Sequence, residues 1–184
     1  MSKRALKGVA THTDLEFPYF GAKEKVKRGL LEVTIATVAG DLTIFALHLK
    51  SRFTDRADDP MSALRRGGEA TAIRDRVLRR FPIPSQVRFV MLGDCNDGKT
   101  SRPVAYLEKR GKTEIGRMLP AADSRGETWT HRYRREDTYS QVDRIFVSPG
   151  LLGAVQGGAS RIFDGEGVVA ASDHRPVVVT LVLN

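Results

Sequence analysis

The alternation of apolar and polar side chains is clearest over residues 31–49. Within 31–35, beginning at Leu31, every second side chain is apolar, which is typical of a half-buried strand. Residues 39–41 supply turn-forming side chains, and residues 42–49 have the composition of a second strand. The pattern therefore predicts a β-hairpin in this segment.

A helix is predicted to follow, up to residue 81. Asp58-Asp59-Pro60 is a typical helix start, because acidic residues precede a proline in the first turn. Apolar residues then recur at roughly helical spacing until Pro82, at Met61, Leu64, Ile73, Val77 and Phe81. Gly67-Gly68 lies inside this pattern and predicts either a break or a close packing contact, since each glycine costs a helix about 1 kcal/mol relative to alanine.

Short apolar runs predict three more strands, at residues 87–92, 142–147 and 177–183, and a short helix is predicted at 104–109. Residues 1–28 are polar and are predicted to form an irregular basic segment. Strands outnumber helices, and polar residues gather where strands end. This organisation predicts an α+β sandwich.

The length and composition predict one domain over residues 1–184, with 41% hydrophobic residues available for its core. The single cysteine, Cys95, excludes an intrachain disulfide. No apolar run approaches the roughly 20 residues that cross a bilayer, so no membrane partner is predicted. No secretory signal is visible, which predicts a cytoplasmic protein by default and leaves secretion of a longer precursor open.

The chain is basic, with 30 Lys and Arg against 22 Asp and Glu, a formal charge of +8 and a pI near 9.9. Half of this excess lies in residues 1–28, and a second basic group occupies residues 52–80. Such a charge attracts polyanions without sequence recognition. Charge alone does not separate DNA from RNA or from an anionic lipid.

Polar groups that can carry chemistry lie within or directly after the predicted strands. Each has an ordinary structural explanation when taken singly, as a turn former or as a hydrogen-bonded core residue. Together they offer carboxylate and amide oxygens for a hard divalent cation, and two imidazoles for proton transfer near neutral pH. These are the components of phosphodiester hydrolysis. The set is His48, Asp94, Asn96, Asp143, Asp173 and His174.

Their sequence contexts resemble the endonuclease/exonuclease/phosphatase family. The resemblance lies in Gly93-Asp94-Cys95-Asn96-Asp97, Val142-Asp143-Arg144-Ile145 and Ser172-Asp173-His174-Arg175-Pro176, which occur in the order of that family. His48-Leu49-Lys50-Ser51 and Trp129-Thr130 also lie at the expected places. The match covers about residues 29–184 and implies a four-layer α/β/β/α sandwich of the deoxyribonuclease I-like type.

The resemblance implies roles for the two histidines. His174 is expected to be the base that activates water, oriented by a carboxylate for which Asp143 is the candidate. Asp143 could instead contact the phosphate. A histidine at the place of His48 is typical of the deoxyribonuclease I-like branch, where it serves as a second acid/base group. Cys95 is interpreted as a small buried apolar residue and not as a nucleophile.

The resemblance also implies a divalent metal, Mg²⁺ or Mn²⁺, with Ca²⁺ as an alternative. Asp173 is expected to be a metal ligand, while Asp94 and Asn96 are expected to orient the phosphate and to approach the metal. Basic and aromatic residues near the motifs are expected to bind substrate, the arginines and lysine through phosphates and the tryptophan through stacking or as a packed loop residue. These residues are Lys50, Arg52, Trp129 and Arg144.

Two features of the family pattern have no counterpart in this sequence. Family members begin with a strand that carries an Asn, and a later strand carries a metal-binding Glu. Glu32 does not match that position, because it directly precedes the strand of His48. We therefore expect that the N-terminal part of the usual domain is absent, that metal affinity is weak unless another group substitutes, and that a homodimer covers the exposed edge.

Three functions are consistent with the sequence. The leading hypothesis is a metal-dependent nuclease that cleaves DNA, or alternatively RNA, with little sequence preference. The second is a phosphatase or phospholipase-like phosphodiesterase of the same family. The third is an inactive, truncated module that binds polyanions.

Overall fold

The computed structural model describes residues 2–54 and 56–183 of the chain. Its helices are α1 (Ala63–Arg80), α2 (Arg102–Glu108) and α3 (Val168–Ala171). Its strands are β1 (Leu6–His12), β2 (Glu16–Tyr19), β3 (Ala22–Lys25), β4 (Leu30–Thr37), β5 (Gly40–His48), β6 (Phe89–Asp94), β7 (Lys109–Arg110), β8 (Thr113–Glu114), β9 (Arg117–Met118), β10 (Ala121–Ala122), β11 (His131–Tyr133), β12 (Thr138–Ser140), β13 (Asp143–Val147), β14 (Ser160–Ile162) and β15 (Val177–Val178).

A six-stranded sheet in the order β1-β4-β5-β6-β13-β9 forms the centre of the fold. The predicted hairpin is confirmed as the antiparallel pair β4–β5. Strands β5 and β6 are parallel, and α1 lies in the connection between them. This parallel pair matters for function, because it places the carboxyl ends of β5 and β6 side by side.

Helix α1 covers one face of this sheet and is confirmed as predicted, with a short 3₁₀ turn at Pro60–Ser62 before it. The Asp59 carboxylate accepts hydrogen bonds from the backbone N–H groups of Leu64 and Arg65, which satisfies donors in the first turn. Gly68 marks a close packing contact and not a break. A Cβ atom there would lie 2.1 Å from the ring of Phe17.

The N-terminal segment corrects one prediction, because residues 1–28 are not irregular within their described part. Strand β1 pairs with β4 at the edge of the main sheet, and β2 and β3 form a hairpin. Phe17 and Tyr19 of β2 enter the core beside α1. The sequence pattern missed β1 because most of its side chains are exposed, so its apolar and polar residues do not alternate.

A small second sheet, β10-β14-β15, lies on the opposite side of the main sheet from α1. The strand predicted at residues 177–183 is shorter than expected. Regular pairing is limited to Val177–Val178 against β14, and Leu181 forms an isolated bridge to Val155. The apolar run there is explained by packing, since Val177, Val179 and Leu181 contact the apolar cluster between the main sheet and the second sheet.

Two apolar clusters fill the space between these layers. One lies between the main sheet and helices α1 and α2, and it contains Phe45, Ile73 and Met91. The other lies between the main sheet and the second sheet and contains Val90 and Val147. The α+β class is thus confirmed. No helix in the described ranges has the length and apolarity needed to span a bilayer.

Candidate active site

The register of the main sheet aligns three of the predicted residues in one row. His48 at the end of β5 pairs with Asp94 of β6, and Asp94 pairs with Asp143 of β13. Because side chains alternate along a strand, paired residues project from the same face. That face also carries Leu92 and Ile145, which pack toward the second sheet. The row therefore lies at the rim of the inter-sheet core.

Gly93 allows the strands of this row to approach one another. Its φ of +141° is a conformation that favours glycine, and a Cβ atom there would lie 1.8 Å from the carbonyl oxygen of Leu47. The residue before Asp94 must therefore be glycine for β5 and β6 to pair at the site.

His174 reaches the row from the loop before β15. Its Nδ1 lies 2.8 Å from Asp143 Oδ2, a distance at which the imidazole N–H donates to the carboxylate. The loop is fixed on both sides. His131 and His174 form an isolated antiparallel bridge, and the Arg175 N–H donates to the carbonyl oxygen of Thr130.

His48, Asp94 and Asn96 form the second half of the site. His48 Nε2 lies 3.3 Å from Asp94 Oδ2. The backbone N–H and the Nδ2 amide of Asn96 donate to the two oxygens of Asp94, at 2.7 and 2.9 Å. Nδ2 of Asn96 also donates to the carbonyl oxygen of Leu49. Both amide protons are thus used, which leaves Asn96 Oδ1 as the side-chain atom for a ligand.

Burial shifts the protonation of this half of the site. It raises the pKa of the Asp94 carboxyl, and the charge of Asp143 raises it further against the hydrogen bond from Asn96. Burial also lowers the pKa of His48, and the positive charge of Arg28 adds to this effect. The neutral form of His48 is therefore favoured over the cation more than in a histidine side chain free in water.

There are two sets of three side chains, and within each set the three potential metal-ligating atoms lie within 4.8 Å of one another. One is Asp94, Asp143 and His174, and the other is His131, Asp173 and His174. Asp173, the predicted metal ligand, lies near His131 and His174. A carboxylate pair such as Asp94 and Asp143 suits the oxygen preference of Mg²⁺ and Mn²⁺.

Thr130 and Arg175 connect the loops that carry the site. Thr130 Oγ1 accepts hydrogen bonds from the backbone N–H groups of Val142 and Asp143, each at 3.0 Å. The Arg175 guanidinium donates to the carboxylate of Asp123 at 2.8 Å, and both side chains are buried. These contacts hold the start of β13 and the loop of His174 against each other.

Three of the four predicted substrate-binding residues lie at accessible positions. Arg52 Nε donates to the carbonyl oxygen of Asn96 at 3.3 Å, so its guanidinium lies beside the site. Lys50 is partly buried and donates through Nζ to backbone and hydroxyl oxygens of Ser51. Trp129 is half-buried, with the Arg175 guanidinium 3.4 Å from its ring centre. One face of the indole is therefore occupied.

The fourth, Arg144, is placed differently from the prediction. It follows Asp143 in the strand and so projects from the opposite face of the sheet. Only 5% of its surface is exposed, and its guanidinium donates to the carbonyl oxygens of Asp97 and Gln141. This burial argues against direct contact with substrate and assigns Arg144 to holding the loop after β6.

His131 and Thr130 were not predicted as site residues. Thr130 was noted only as part of a motif, and its contacts to the start of β13 depend on tertiary structure. The sequence signal that could have identified His131 is its position directly after the Trp129-Thr130 motif. Its ring centre lies 4.6 Å from that of His174, 43 positions later in the chain, a proximity that local spacing does not reveal.

Comparison with known proteins identifies the family of this chain. The model of the Endonuclease/Exonuclease/phosphatase family matches residues 1–174. The chain belongs to this family, whose members are divalent-metal-dependent hydrolases of phosphodiester bonds. A search of curated protein sequences finds no match.

Solved structures with similar folds support the deoxyribonuclease I-like sandwich. A Staphylococcus aureus beta toxin with bound magnesium ions is 14% identical, with a TM-score of 0.65 over 98% of this chain and 66% of the toxin. The human Nocturnin catalytic domain is 14% identical, with a TM-score of 0.62 over 96% and 60%. Sphingomyelinase C from Streptomyces griseocarneus is 12% identical, with a TM-score of 0.57 over 98% and 63%. The chain spans less than two thirds of each of these proteins.

Proposed function

We propose that this protein is a divalent-metal-dependent nuclease that hydrolyses phosphodiester bonds of DNA with little sequence preference. The observation that carries the proposal is the hydrogen bond between His174 Nδ1 and Asp143 Oδ2, in a site that also holds the pair of His48 and Asp94. Two histidine–aspartate pairs can supply the proton transfers at both ends of a phosphodiester displacement.

His174 is the proposed general base. When Nδ1–H of the neutral imidazole donates to Asp143, the lone pair lies on Nε2. Nε2 can then accept a proton from water. Asp143 fixes this tautomer and stabilises the imidazolium that forms, as the carboxylate does in other histidine–aspartate pairs.

His48 is the proposed second acid/base group. It lies in the same strand row as Asp143, with Asp94 between them, which supports a role in returning a proton to the leaving oxygen. Asp94 lies beside the imidazole of His48, and Asn96 fixes Asp94 through two hydrogen bonds. Asn96 Oδ1, the acceptor that these bonds leave free, would act on the phosphate side of the site by binding the metal.

A divalent metal fits the carboxylates of Asp94 and Asp143, since each offers an oxygen within 4.8 Å of the other. Asn96 Oδ1 is a further oxygen ligand of the type that Mg²⁺ and Mn²⁺ accept. When bound, the metal supplies positive charge that stabilises the phosphoryl oxygens in the transition state. Asp173, which the resemblance implies as a ligand, lies outside this set, and its role at the catalytic metal stays a prediction.

DNA is proposed as the substrate because the chain carries a charge of +8 and because Arg52 lies beside Asn96 at the site. Phosphate contacts from basic side chains bind any sequence alike, which favours cleavage with little preference. RNA shares the backbone charge and is the first alternative nucleic acid to compare.

One observation favours the second hypothesis, a phospholipase-like phosphodiesterase. Phe53 follows Arg52 and is 79% exposed, and Phe20 at the turn between β2 and β3 is also exposed, with the Arg56 guanidinium 4.3 Å from its ring centre. Exposed aromatic residues beside cations suit the surface of an anionic lipid as well as nucleic-acid bases.

A comparison of substrates separates these functions. Supercoiled plasmid DNA, single-stranded RNA, sphingomyelin vesicles and inositol phosphates would be incubated with the protein and Mg²⁺ or Mn²⁺, each against an EDTA control. We expect metal-dependent nicking of the plasmid and a lower rate on the small phosphoesters and the vesicles. Hydrolysis of sphingomyelin without nicking of DNA would establish the second function instead.

A further inference from the structure

The side chains of His131, Asp173 and His174 form a second cluster beside the catalytic pair. His131 Nε2 lies 3.8 Å from Asp173 Oδ2, and one ligating atom of each of the three residues lies within 4.8 Å of the others. We propose that this cluster is a binding site for a transition metal, Zn²⁺ in particular. It adjoins the Mg²⁺ or Mn²⁺ set of Asp94 and Asp143 and shares only His174 with the group that contains them.

The donor chemistry selects the metal. Two imidazole nitrogens and one carboxylate oxygen are ligands that zinc accepts readily, whereas Mg²⁺ prefers sites of oxygen alone. Zinc with three protein ligands keeps a fourth position for water or an anion. Asp173 is largely exposed, so its carboxylate can adjust to a zinc ion at about 2 Å.

The surroundings of the two histidines orient them for this role. His174 Nδ1 is held by Asp143, and His131 Nδ1 lies 3.5 Å from Ser140 Oγ, so the Nε2 atoms are the nitrogens left for a metal. A carboxylate or hydroxyl on the far nitrogen is the usual support of a metal-bound histidine. The bridge between residues 131 and 174 fixes the two backbones relative to each other.

The position has a consequence for catalysis, which rests on the proposed function. Zinc bound to Nε2 of His174 occupies the lone pair that would accept a proton from water. Zinc at this cluster should therefore inhibit hydrolysis even when Mg²⁺ is in excess. The nearby His131 would thus make the enzyme sensitive to zinc without taking part in the reaction.

Zinc binding can be measured without any substrate, by isothermal titration with Zn²⁺ alone. We expect one equivalent to bind to the wild type. His131→Ala and Asp173→Asn should each weaken that binding at least about 10-fold, the lower bound for losing even a supporting partner of a metal ligand. His12→Ala is the matched control, since it removes a partly buried histidine that contacts Glu32 instead and should leave zinc affinity unchanged.

Absence of zinc binding by folded wild-type protein would overturn the proposal. So would unchanged affinity in His131→Ala, and so would a loss confined to Asp94→Asn, which would place zinc at the other set of ligands. Circular dichroism in zinc-free buffer verifies that each variant is folded. Because this readout needs no turnover, zinc can bind as proposed even if the nuclease function is wrong.

Discussion

Asp94 and Asp143 are paired in neighbouring strands, yet they make different contacts. Asp143 holds His174, while Asp94 is fixed by Asn96 and lies beside His48. The residue types were predictable, because polar side chains at the ends of apolar strands stand out in the sequence. The family resemblance also implied Asp143 as the partner of His174. The contact between Asp94 and His48 was not predicted, since it depends on the register of two strands.

Burial lowers the pKa of His48 most, and the charge of Arg28 lowers it further. Arg28 lowers the pKa of His48, so replacing it with a neutral residue removes a repulsion between two cations, and the pKa should rise. We predict that Arg28→Gln moves the His48 titration to higher pH, as followed by NMR of the imidazole ring. Protonated His48 would then persist to higher pH than in the wild type.

Arg79→Gln is the control for that titration, because it removes the same charge from an exposed position on α1. Arg79→Gln should leave the pKa of His48 unchanged. An unchanged or lowered pKa of His48 in Arg28→Gln would contradict the assigned electrostatics of this half of the site.

At the scale of elements, local periodicity decides what sequence can predict. The β4–β5 hairpin and α1 were predicted because most of the apolar repeat lies within each element, although Leu31 and Leu64 are exposed. Strand β1 was missed because it is exposed, and the strand at 177–183 was overextended because its apolar residues serve packing more than pairing. Arg144 was misassigned because adjacency in sequence to Asp143 means opposite faces in a strand.

The ion pair of Asp123 and Arg175 should make the loops of the site sensitive to acid. Burial alone would raise the pKa of Asp123, but hydrogen bonds from Arg175 and from backbone N–H groups outweigh it and hold that pKa well below its usual range. A depressed carboxyl pKa stabilises the fold above the unfolded value of about 3.9, and this contribution is lost as pH falls toward the folded value.

We therefore predict that Asp123→Asn lowers Tm at pH 7 and that its difference from the wild type narrows below about pH 4. Thermal melts between pH 7 and pH 3 measure this. Asp41→Asn, which removes an exposed ion pair with Lys7, should change Tm little at any pH. A difference that grows on acidification would contradict the sign of the Asp123 effect.

At the scale of the whole molecule, the face of the main sheet on the side of the second sheet is buried at its centre and exposed toward β1. One row of paired residues on the side of the second sheet is Val9, Val33, Ile44, Val90 and Val147. Val9 is 59% exposed and Val90 is 3% exposed, so exposure rises toward the edge strand β1. An apolar sheet face that ends in an unpaired edge strand is suited to association.

We predict that a second copy of the chain covers this face, with β1 of each protomer at the interface. Light scattering at low micromolar concentration should then give twice the chain mass of 20.3 kDa. Val9→Lys should yield a folded monomer, whereas Leu64→Lys, which places a charge at an exposed apolar position on α1, should remain a dimer. A well-folded wild-type monomer would contradict this prediction.

The most direct test of the account is the nicking of supercoiled plasmid by the wild type and by His174→Ala, with Mg²⁺, Mn²⁺ or EDTA. The account predicts nicking that requires metal and that falls about 10²- to 10⁴-fold in the variant, the usual contribution of a general base. Equal nicking by both proteins would contradict the role of His174. No nicking by folded wild-type protein would contradict the nuclease function, leaving small phosphoesters and inactive polyanion binding as the remaining hypotheses.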